Sequence, residues 1–160
     1  MTGLGVVGID PGLSGAIAHM YDGVIVTVDM PIFEVIKAKK KQREVDAVQL
    51  STIIANFNPS MIVLEKVHAM PGQGVTSMFN FGRAFGAVEG VVVGALRIPI
   101  THVTPQRWKS ALRLSSDKGE SRRLATQLFP ASADQWTRVK DDGRAEAALL
   151  AWYGQQGADT

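Results

Sequence analysis

The fold is decided by the stretch Leu4-Gly5-Val6-Val7-Gly8-Ile9-Asp10-Pro11-Gly12, an apolar run that stops at an aspartate and a turn sequence. Short apolar runs that end at turn residues are typical of buried β-strands. Two further runs, residues 15–21 and 24–30, follow after glycine-containing breaks. The first thirty residues therefore predict three consecutive strands of one sheet.

A second strand that ends in an acid is predicted over residues 60–65, Ser-Met-Ile-Val-Leu-Glu. Its apolar residues are continuous rather than alternating, which is typical of a central strand buried on both faces. If this strand lies parallel to the first as its neighbour, Asp10 and Glu65 emerge at the same sheet edge, where open α/β sheets place their ligands. Taken alone, Asp10 is better interpreted as a residue of the Asp-Pro-Gly turn, and Glu65 as a solvated strand end beside Lys66.

The remaining elements are predicted from helix caps and from apolar residues at three- and four-residue spacing. They are a helix after Asp46 with Val48, Ile53, Ile54 and Phe57 on one side, a helix over residues 77–96, a strand over 99–103, a short helix from Thr104 and Pro105, a helix over 116–129, and a final helix from 142 to about 155. This order predicts an α/β fold with a mixed five-stranded sheet and helices on both faces. We expect one domain over residues 1–156 and a short tail over 157–160.

The helix predicted over residues 77–96 contains a glycine at every fourth position, namely Gly82, Gly86, Gly90 and Gly94. Each glycine costs about 1 kcal/mol relative to alanine in a helix interior. Close approach of another backbone would offset this cost. A strand of the same sheet and a partner helix across a dimer interface are both candidates, and the sequence leaves the choice open.

Composition restricts the classes of site that this protein can contain. Its 160 residues are 46% apolar and 20% charged, which is typical of a single globular domain. Because there is no cysteine, a metal must be held by carboxylates, histidines or water, which favours a hard cation. The most apolar stretch, residues 88–100, is interrupted by Glu89 and Arg97, so we expect no membrane association. With no recognisable signal peptide, we expect a cytoplasmic protein, or an organellar one if the source is a plant.

Positive charge is concentrated in two segments, although the formal net charge is only +2. The first segment contains Lys37, Lys39, Lys40, Lys41 and Arg43, and the second contains Arg107, Lys109, Arg113, Lys118, Arg122 and Arg123. One basic run alone is as easily a solvated face. Two such runs together predict contact with a polyanion such as nucleic acid.

The last predicted helix contributes three more acids, Asp141, Asp142 and Glu146. Asp142 and Glu146 are four residues apart and share a helix face, whereas the choice between Asp141 and Asp142 as a functional residue stays open. Acids in a first helical turn also interact favourably with the helix dipole and need no other role. Glu146, however, is surrounded by small and apolar residues, and an unpaired buried carboxylate is costly unless a cation binds it.

Three or four carboxylates that converge on one point repel one another unless cations lie between them. Two Mg²⁺ ions about 4 Å apart would satisfy this arrangement and can hydrolyse a phosphodiester bond. One ion lowers the pKa of the attacking water and the other stabilises the leaving 3′-oxygen. We therefore expect two Mg²⁺ per site, with Mn²⁺ as a possible substitute, and no organic cofactor.

Five segments together resemble the RuvC-type Holliday-junction resolvases, including their phage-encoded and plant organellar relatives. The resemblance covers nearly the whole chain, and the order and spacing of the segments are more specific than any one of them. The segments are Gly8-Ile9-Asp10-Pro11-Gly12, Val63-Leu64-Glu65-Lys66-Val67, Phe81-Gly82-Arg83-Ala84-Phe85-Gly86, Thr104-Pro105-Gln106-Arg107-Trp108-Lys109 and Asp142-Gly143-Arg144-Ala145-Glu146.

The resemblance implies an RNase H-like fold and a homodimer that cuts two opposed strands of a four-way DNA junction symmetrically, in recombination or in processing of branched phage DNA. It implies Asp10, Glu65, Asp142 and Glu146 as catalytic metal ligands. Lys109 matches a basic residue near the scissile phosphate and is a fifth catalytic candidate. One departure is that the last two acids of bacterial members are usually aspartates three residues apart, whereas here they are four apart and end in glutamate.

Junction recognition is expected to rest on phosphate contacts, read through DNA shape more than base edges, and to weaken with salt. His68 falls where bacterial members have an aromatic residue that stacks near the junction centre. Gln73, Met78 and Phe79 are candidates for entering the opened junction. The full set of expected DNA-binding residues is Lys39, Lys40, Lys41, His68, Gln73, Met78, Phe79, Arg83, Arg107, Lys109, Lys118, Arg122 and Arg123.

Three other functions compete with this interpretation. An RNase H-like nuclease that acts on flaps, replication forks or RNA-DNA hybrids would use the same metal site, so the sequence does not separate it from a resolvase. An actin-like ATPase or sugar kinase needs a second lobe, which 160 residues cannot supply. A catalytically silent branched-DNA-binding protein is disfavoured, because its carboxylates would repel the phosphates of its own ligand.

Overall fold

The sheet is built around β1 (Val6–Asp10), which pairs with antiparallel β2 (Ala16–Tyr21) on one side and with parallel β6 (Met61–Glu65) on the other. Strand β3 (Val24–Asp29) lies outside β2, and β7 (Ile100–Val103) lies parallel to β6 at the far edge. The strand order is thus β3-β2-β1-β6-β7. This sheet, seen in a computed structural model that describes residues 5–117 and 119–157, confirms the predicted mixed five-stranded arrangement.

Helices cover both faces of the sheet, as predicted. On one face α5 (Asp142–Gln155) packs with α3 (Pro105–Ala111) and α4 (Glu120–Leu128), and on the other lie α1 (Ala47–Phe57) and α2 (Val75–Gly90). Successive residues of each strand point to opposite faces, so each strand contributes to both halves of the core. None of the described helices is long and apolar enough to cross a membrane.

Helix α5 lies unusually close to β1, because side chains are small where the two elements meet. Ala145, Ala147, Ala148 and Ala151 of α5 are fully buried against the sheet. A Cβ atom added to Gly8 of β1 would overlap the carbonyl oxygen of Ala147 and lie 2.5 Å from the amide nitrogen of Ala151. The missing side chain at Gly8 therefore sets how closely α5 approaches the sheet.

The first basic segment folds into a hairpin that the sequence analysis did not predict. Strands β4 (Ile32–Lys37) and β5 (Lys40–Val45) pair antiparallel and form a two-stranded sheet separate from the main one. The connecting residues Ala38 and Lys39 both have positive φ, 49° and 64°, as a tight primed turn requires. The prediction missed this turn because it contains neither of the residues, glycine or asparagine, that usually signal it.

The N-cap of α1 is confirmed, because the Asp46 side chain accepts a hydrogen bond from the backbone amide of Gln49 at 2.9 Å. The predicted apolar face of this helix is wrong in one position. Val48 is 78% exposed, whereas Leu50 and Ile54 are fully buried. Residues 50 and 54 are one helical turn apart, and Val48 lies on the opposite side of the helix from that stripe.

The helix predicted over residues 77–96 begins earlier, as α2, and continues from Val91 to Leu96 as a π-helical segment. Within the described ranges, nothing lies within 4 Å of a Cβ atom added to any of its four regularly spaced glycines. The interpretation that these glycines admit a strand of the same sheet is therefore wrong. A partner helix across a dimer interface stays a prediction.

Two further boundaries differ from the prediction. The helix expected over residues 116–129 is observed as α4, which begins at Glu120 after Gly119 in a left-handed conformation. The unpredicted segment Pro130–Trp136 is 3-10 helical and buries Trp136. Residues 158–160 of the predicted tail and Lys118 lie outside the described residues.

Candidate active site

Two predicted acids end neighbouring parallel strands. The register of β1 and β6 pairs Ile9 with Leu64, so Asp10 and Glu65 are the next residues of the two strands. Because the strands are parallel, both carboxylates lie at the same sheet edge, and the predicted pairing is confirmed. Glu65 is buried, with 6% of its surface exposed.

The Asp10 carboxyl group lies in an environment that disfavours its charge. Burial raises its pKa to about 7, and repulsion from Glu65 and Glu146 contributes to the rise. The backbone amide of Gly12, 3.4 Å from Asp10 Oδ1, and the Lys109 ammonium act in the opposite direction without cancelling it. Three acids from β1, β6 and α5 therefore act electrostatically on one another, as the predicted cluster requires.

The Glu65 carboxylate is held by a residue that the site prediction did not include. Trp108 of α3 is fully buried, and its indole N–H donates to Glu65 Oε1 at 2.9 Å. Burial raises the pKa of Glu65, and this hydrogen bond opposes the rise. The sequence signal is a tryptophan four residues after the N-cap of a short helix, where Thr104 accepts a hydrogen bond from the Arg107 amide.

Glu146 is matched by a cation and a hydroxyl. Lys109 Nζ lies 3.0 Å from Glu146 Oε1, and the Ser121 hydroxyl donates to the same oxygen at 3.4 Å. The ammonium group also lies 5.3 Å from the centre of the Trp108 ring. Lys109 therefore lies beside the acids, and its contact with a scissile phosphate stays a prediction.

The two neighbouring aspartates have different partners. Asp142 Oδ1 accepts from Arg122 Nε at 2.6 Å. Asp141 is buried and accepts from the backbone amide and the guanidinium of Arg138, which holds the pKa of Asp141 down at about 2. The Asp141 carboxylate is therefore fully used in fastening the start of α5. Asp142 and Glu146 lie on the same face of α5.

An unpredicted ion pair fixes α5 to the sheet edge from the other side. Arg144 donates from Nε and Nη2 to the two carboxylate oxygens of Asp29, at 2.7 and 2.9 Å. Its third nitrogen donates to the carbonyl of Gln135 at 3.0 Å. This bidentate geometry is the strong form of such a pair, and it holds the end of β3 to the first turns of α5.

The carboxylates are suited to a divalent metal ion, although they do not enclose one. Among the described residues, no group of three or more histidine, aspartate or glutamate side chains is spaced to hold an ion. The predicted set of Asp10, Glu65, Asp142 and Glu146 is therefore not assembled as a closed metal centre. The pKa of Asp10 is nevertheless raised partly by two neighbouring acids, which indicates an excess of negative charge. Hard cations that prefer oxygen ligands would neutralise it.

The predicted DNA-binding residues occupy three regions. His68 and Gln73, in the loop after β6, line a pocket with Met78 and Phe81, whereas Phe79 is 66% exposed outside that pocket. Arg107 and Lys109 lie on α3, and Arg122 and Arg123 lie on α4. Of these four, Lys109 and Arg122 pair with acids of α5, and Arg123 pairs with Glu120 of its own helix. Lys39, Lys40 and Lys41 lie on the hairpin. Arg83 pairs with Glu44 at 3.2 Å, so it fastens the hairpin to α2.

Asp10→Asn is expected to stabilise the metal-free protein at alkaline pH. The pKa of Asp10 is raised from 3.8 to about 7 in the folded protein, so folding favours the protonated carboxyl group. This contribution to stability is complete below the unfolded-state pKa of 3.8 and is lost as the pH rises through 7. The variant should therefore gain about 1–3 kcal/mol over wild type at pH 8 in EDTA, and little at pH 4. Urea unfolding at both pH values measures the difference. An equal gain at the two pH values would contradict the electrostatic cause.

The fold is that of RuvC-type resolvases. RuvC of T. thermophilus in complex with a Holliday junction substrate superimposes with a TM-score of 0.64 at 15% identity, over 97% of both chains. A second structure of Thermus thermophilus RuvC gives 0.59 at 16% identity, over 96% of this chain and 97% of that one. The yeast mitochondrial Holliday junction resolvase Ydc2 gives 0.51 at 17% identity, over 96% of this chain and 80% of that one.

Sequence comparison adds no further relative. No family model matches the chain, and no curated protein matches it. At 15–17% identity the structural likeness establishes the fold, and the predicted RNase H-like fold is confirmed.

Proposed function

We propose that this chain is a metal-dependent endonuclease that resolves four-way DNA junctions by paired, symmetric phosphodiester hydrolysis. The observation that carries the proposal is the group of mutually repelling carboxylates of Asp10, Glu65 and Glu146 at one edge of a RuvC-type sheet. Burying three acids together destabilises the fold, and bound cations would offset their repulsion and promote hydrolysis of a phosphodiester. The likeness to a RuvC structure that contains a Holliday junction supports the substrate.

Asp10, Glu65 and Glu146 would hold Mg²⁺, and Mn²⁺ would substitute. We expect two ions per site, with Asp142 as the fourth ligand once Arg122 exchanges this carboxylate for a DNA phosphate. When bound, the ions would lower the pKa of the attacking water and stabilise the leaving 3′-oxygen. Asp141 is excluded from this role in the proposal, because Arg138 already occupies both of its oxygens.

Protein side chains would prepare the site for its substrate. The Trp108 N–H fixes the orientation of the Glu65 carboxylate, and the tight contact of α5 with β1 brings Glu146 to the same edge. Lys109 pairs with Glu146 at 3.0 Å and offsets its charge. Once the acids hold cations, we expect the Lys109 ammonium group to contact the scissile phosphate.

Symmetric cutting of two opposed strands requires two active sites, and the described part of one chain contains one acid cluster. We therefore include a homodimer in the proposal. The open glycine face of α2 and the π-helical segment is a candidate contact, because a second helix can approach glycines closely. Sedimentation equilibrium tests the assembly, and a protein that cuts junctions symmetrically as a monomer would contradict it.

Cleavage of a synthetic four-way junction, compared with linear duplex, a 5′-flap, a replication fork and an RNA-DNA hybrid, tests the proposed function. With Mg²⁺ we expect paired nicks at symmetric positions of the junction alone, and no cutting in EDTA. Equal cleavage rates on the flap or the fork would still support a metal-dependent nuclease but would contradict its assignment as a resolvase. Cutting in EDTA would remove the metal-dependent chemistry itself.

Trp108→Phe is expected to slow junction cleavage by about 10- to 100-fold, the range typical of losing a hydrogen bond that orients a metal ligand. The change removes the N–H that holds Glu65 and keeps an aromatic ring in the core. Cleavage rates over a Mg²⁺ titration measure the effect, which should include a higher Mg²⁺ requirement.

Trp136→Phe is the matched control for this variant. Trp136 is equally buried, and its indole N–H donates to the Thr126 hydroxyl at 3.1 Å, away from the acids. Both variants should lose stability, whereas the Mg²⁺ requirement should change in Trp108→Phe alone. The same change in both would mean that Trp108 acts only through packing.

A further inference from the structure

We propose that the hairpin of β4 and β5 is a DNA-binding arm that contacts one duplex arm of the junction away from the cut site. This inference rests on the proposed function and adds the place of contact. It is carried by where the hairpin leaves the sheet, how far it extends, and which side chains it presents.

The hairpin leaves the sheet at the edge that holds the acids. Asp10 pairs with Ala16, and Ala16 pairs with Asp29, so the end of β3 lies in register with Asp10. The chain then enters β4 after two residues, and the amide of Asp46 donates to the carbonyl of Pro31 at 2.8 Å to close the hairpin base. The hairpin therefore starts at the active-site edge.

The hairpin contacts the rest of the described molecule near its base, where Arg43, Glu44 and Val45 line a small pocket with residues of α2. Val45 is buried at this base and lines a small pocket with Leu13, from the loop that follows Asp10, and with Ala84 of α2. The ion pair of Arg83 with Glu44 adds a second attachment. Each strand has six residues, so the hairpin extends about 20 Å at roughly 3.3 Å per residue.

The hairpin has a strong positive charge. Five cations, Lys37, Lys39, Lys40, Lys41 and Arg43, stand against the two acids Glu34 and Glu44. This excess of three is larger than the net charge of +2 of the whole chain, so the remainder of the protein is slightly acidic.

Three of the five hairpin cations are available to a ligand. Lys37 pairs with Glu44, and Lys41 pairs with Glu34 at 3.3 Å. No carboxylate of the described residues lies within 4 Å of the charged groups of Lys39, Lys40 or Arg43. All three are exposed, so they can contact phosphates without first breaking an ion pair.

An apolar side chain lies beside these cations near the tip. Ile36, which pairs with Lys41, is 76% exposed. Two-stranded ribbons fit DNA grooves, and apolar side chains among basic ones can insert between base steps. A two-stranded ribbon with basic side chains and an exposed Ile36 fits a duplex groove better than a flat anionic surface. An arm of about 20 Å would reach about six base pairs from the scissile phosphate, at 3.4 Å per base pair.

The test compares wild type with Lys39→Gln/Lys40→Gln/Arg43→Gln in binding to a four-way junction at several salt concentrations. For each lost phosphate contact the slope of log Kd against log salt should fall by about 0.9, so a loss of about 2–3 is expected. Hydroxyl-radical protection about six base pairs from the cut should disappear. On a junction with loop-closed arms of four base pairs, the two proteins should bind equally.

Two single variants separate the arm from general charge effects. Arg97→Gln removes one exposed cation before β7, at the opposite sheet edge, and should leave the slope unchanged, whereas Lys40→Gln should lower it. Ile36→Ala should weaken binding without changing the slope, because an apolar contact releases no counterions. Circular dichroism establishes that all variants are folded.

Unchanged slope and protection in the triple variant would overturn the proposal. So would a shift in sedimentation with unchanged DNA binding, which would make the hairpin a contact between copies of the chain. If wild type failed to cut junctions while the triple variant still lost duplex affinity, the proposed function would fail and the DNA-binding arm would stand.

Discussion

Asp10→Asn is expected to reduce the rate of junction cleavage by a factor on the order of 10³ or more, in a protein that still folds. Asp10 is the acid on which Glu65 and Glu146 both act, so its loss removes the shared anchor of the proposed ions. Metal ions supply several kcal/mol of charge stabilisation in such reactions, at about 1.4 kcal/mol per factor of ten. Single-turnover cleavage of a labelled junction at saturating Mg²⁺ measures the loss.

Asp22→Asn is the matched control, because it makes the same chemical change in the turn between β2 and β3, at the opposite sheet edge. Asp22 has a positive φ of 51°, which asparagine tolerates, so fold and activity should be unaffected. Junction binding by Asp10→Asn in EDTA should equal that of wild type or exceed it. An Asp10→Asn variant that cleaves at the wild-type rate would rule out the metal-dependent mechanism.

Gly8→Ala is expected to lower the free energy of unfolding by about 3 kcal/mol or more, at the upper end of what overpacking costs in protein cores. The added methyl group would overlap the backbone of α5 at Ala147 and Ala151, and neither backbone atom can rotate away. The helix would have to move off β1 and take Glu146 with it. Urea denaturation measures the stability, and cleavage assays on the folded fraction measure the displacement.

The control for this variant is Gly86→Ala, which adds the same methyl group where the described chain leaves open space. Because Gly86 lies on the face proposed for the dimer contact, the comparison is made on the monomer at low protein concentration. Alanine is the better helix former, so the monomer should be stabilised by about 0.5–1 kcal/mol. A similar loss of stability in both variants would indicate that backbone freedom, and not the contact with α5, determines the effect of Gly8→Ala.

The strands that hold Asp10 and Glu65 were predictable because each is a buried apolar run that stops abruptly at an acid. Parallel pairing then places both acids at one edge without any side-chain detail. The hairpin was not predictable in this way, because neither strand alternates regularly: β4 is mostly apolar and β5 is almost entirely polar. Its turn is formed by Ala38 and Lys39. Its pairing depends on its base being held by the sheet edge and by α2.

The partners of the acids were the least predictable part of the site. From the sequence alone, Trp108 is interpreted as a core residue, because its bond to Glu65 depends on how α3 packs beside β6. Arg122 is likewise predicted as a DNA contact, whereas in the structure it pairs with Asp142. These contacts join residues far apart in sequence, and spacing along one chain does not encode them. The choice between Asp141 and Asp142 likewise depends on Arg138, three residues before Asp141.

The hydrogen bond between Trp108 and Glu65 gives the molecule an optical signal of its own. An indole whose N–H is bound to a carboxylate changes its emission when the charge at that carboxylate changes, and Trp108 is shielded from solvent. Of the three tryptophans, Trp136 donates instead to a hydroxyl and Trp152 lies against Phe129. Intrinsic fluorescence can therefore follow events at the acid cluster in real time, in the unmodified protein and without a labelled substrate.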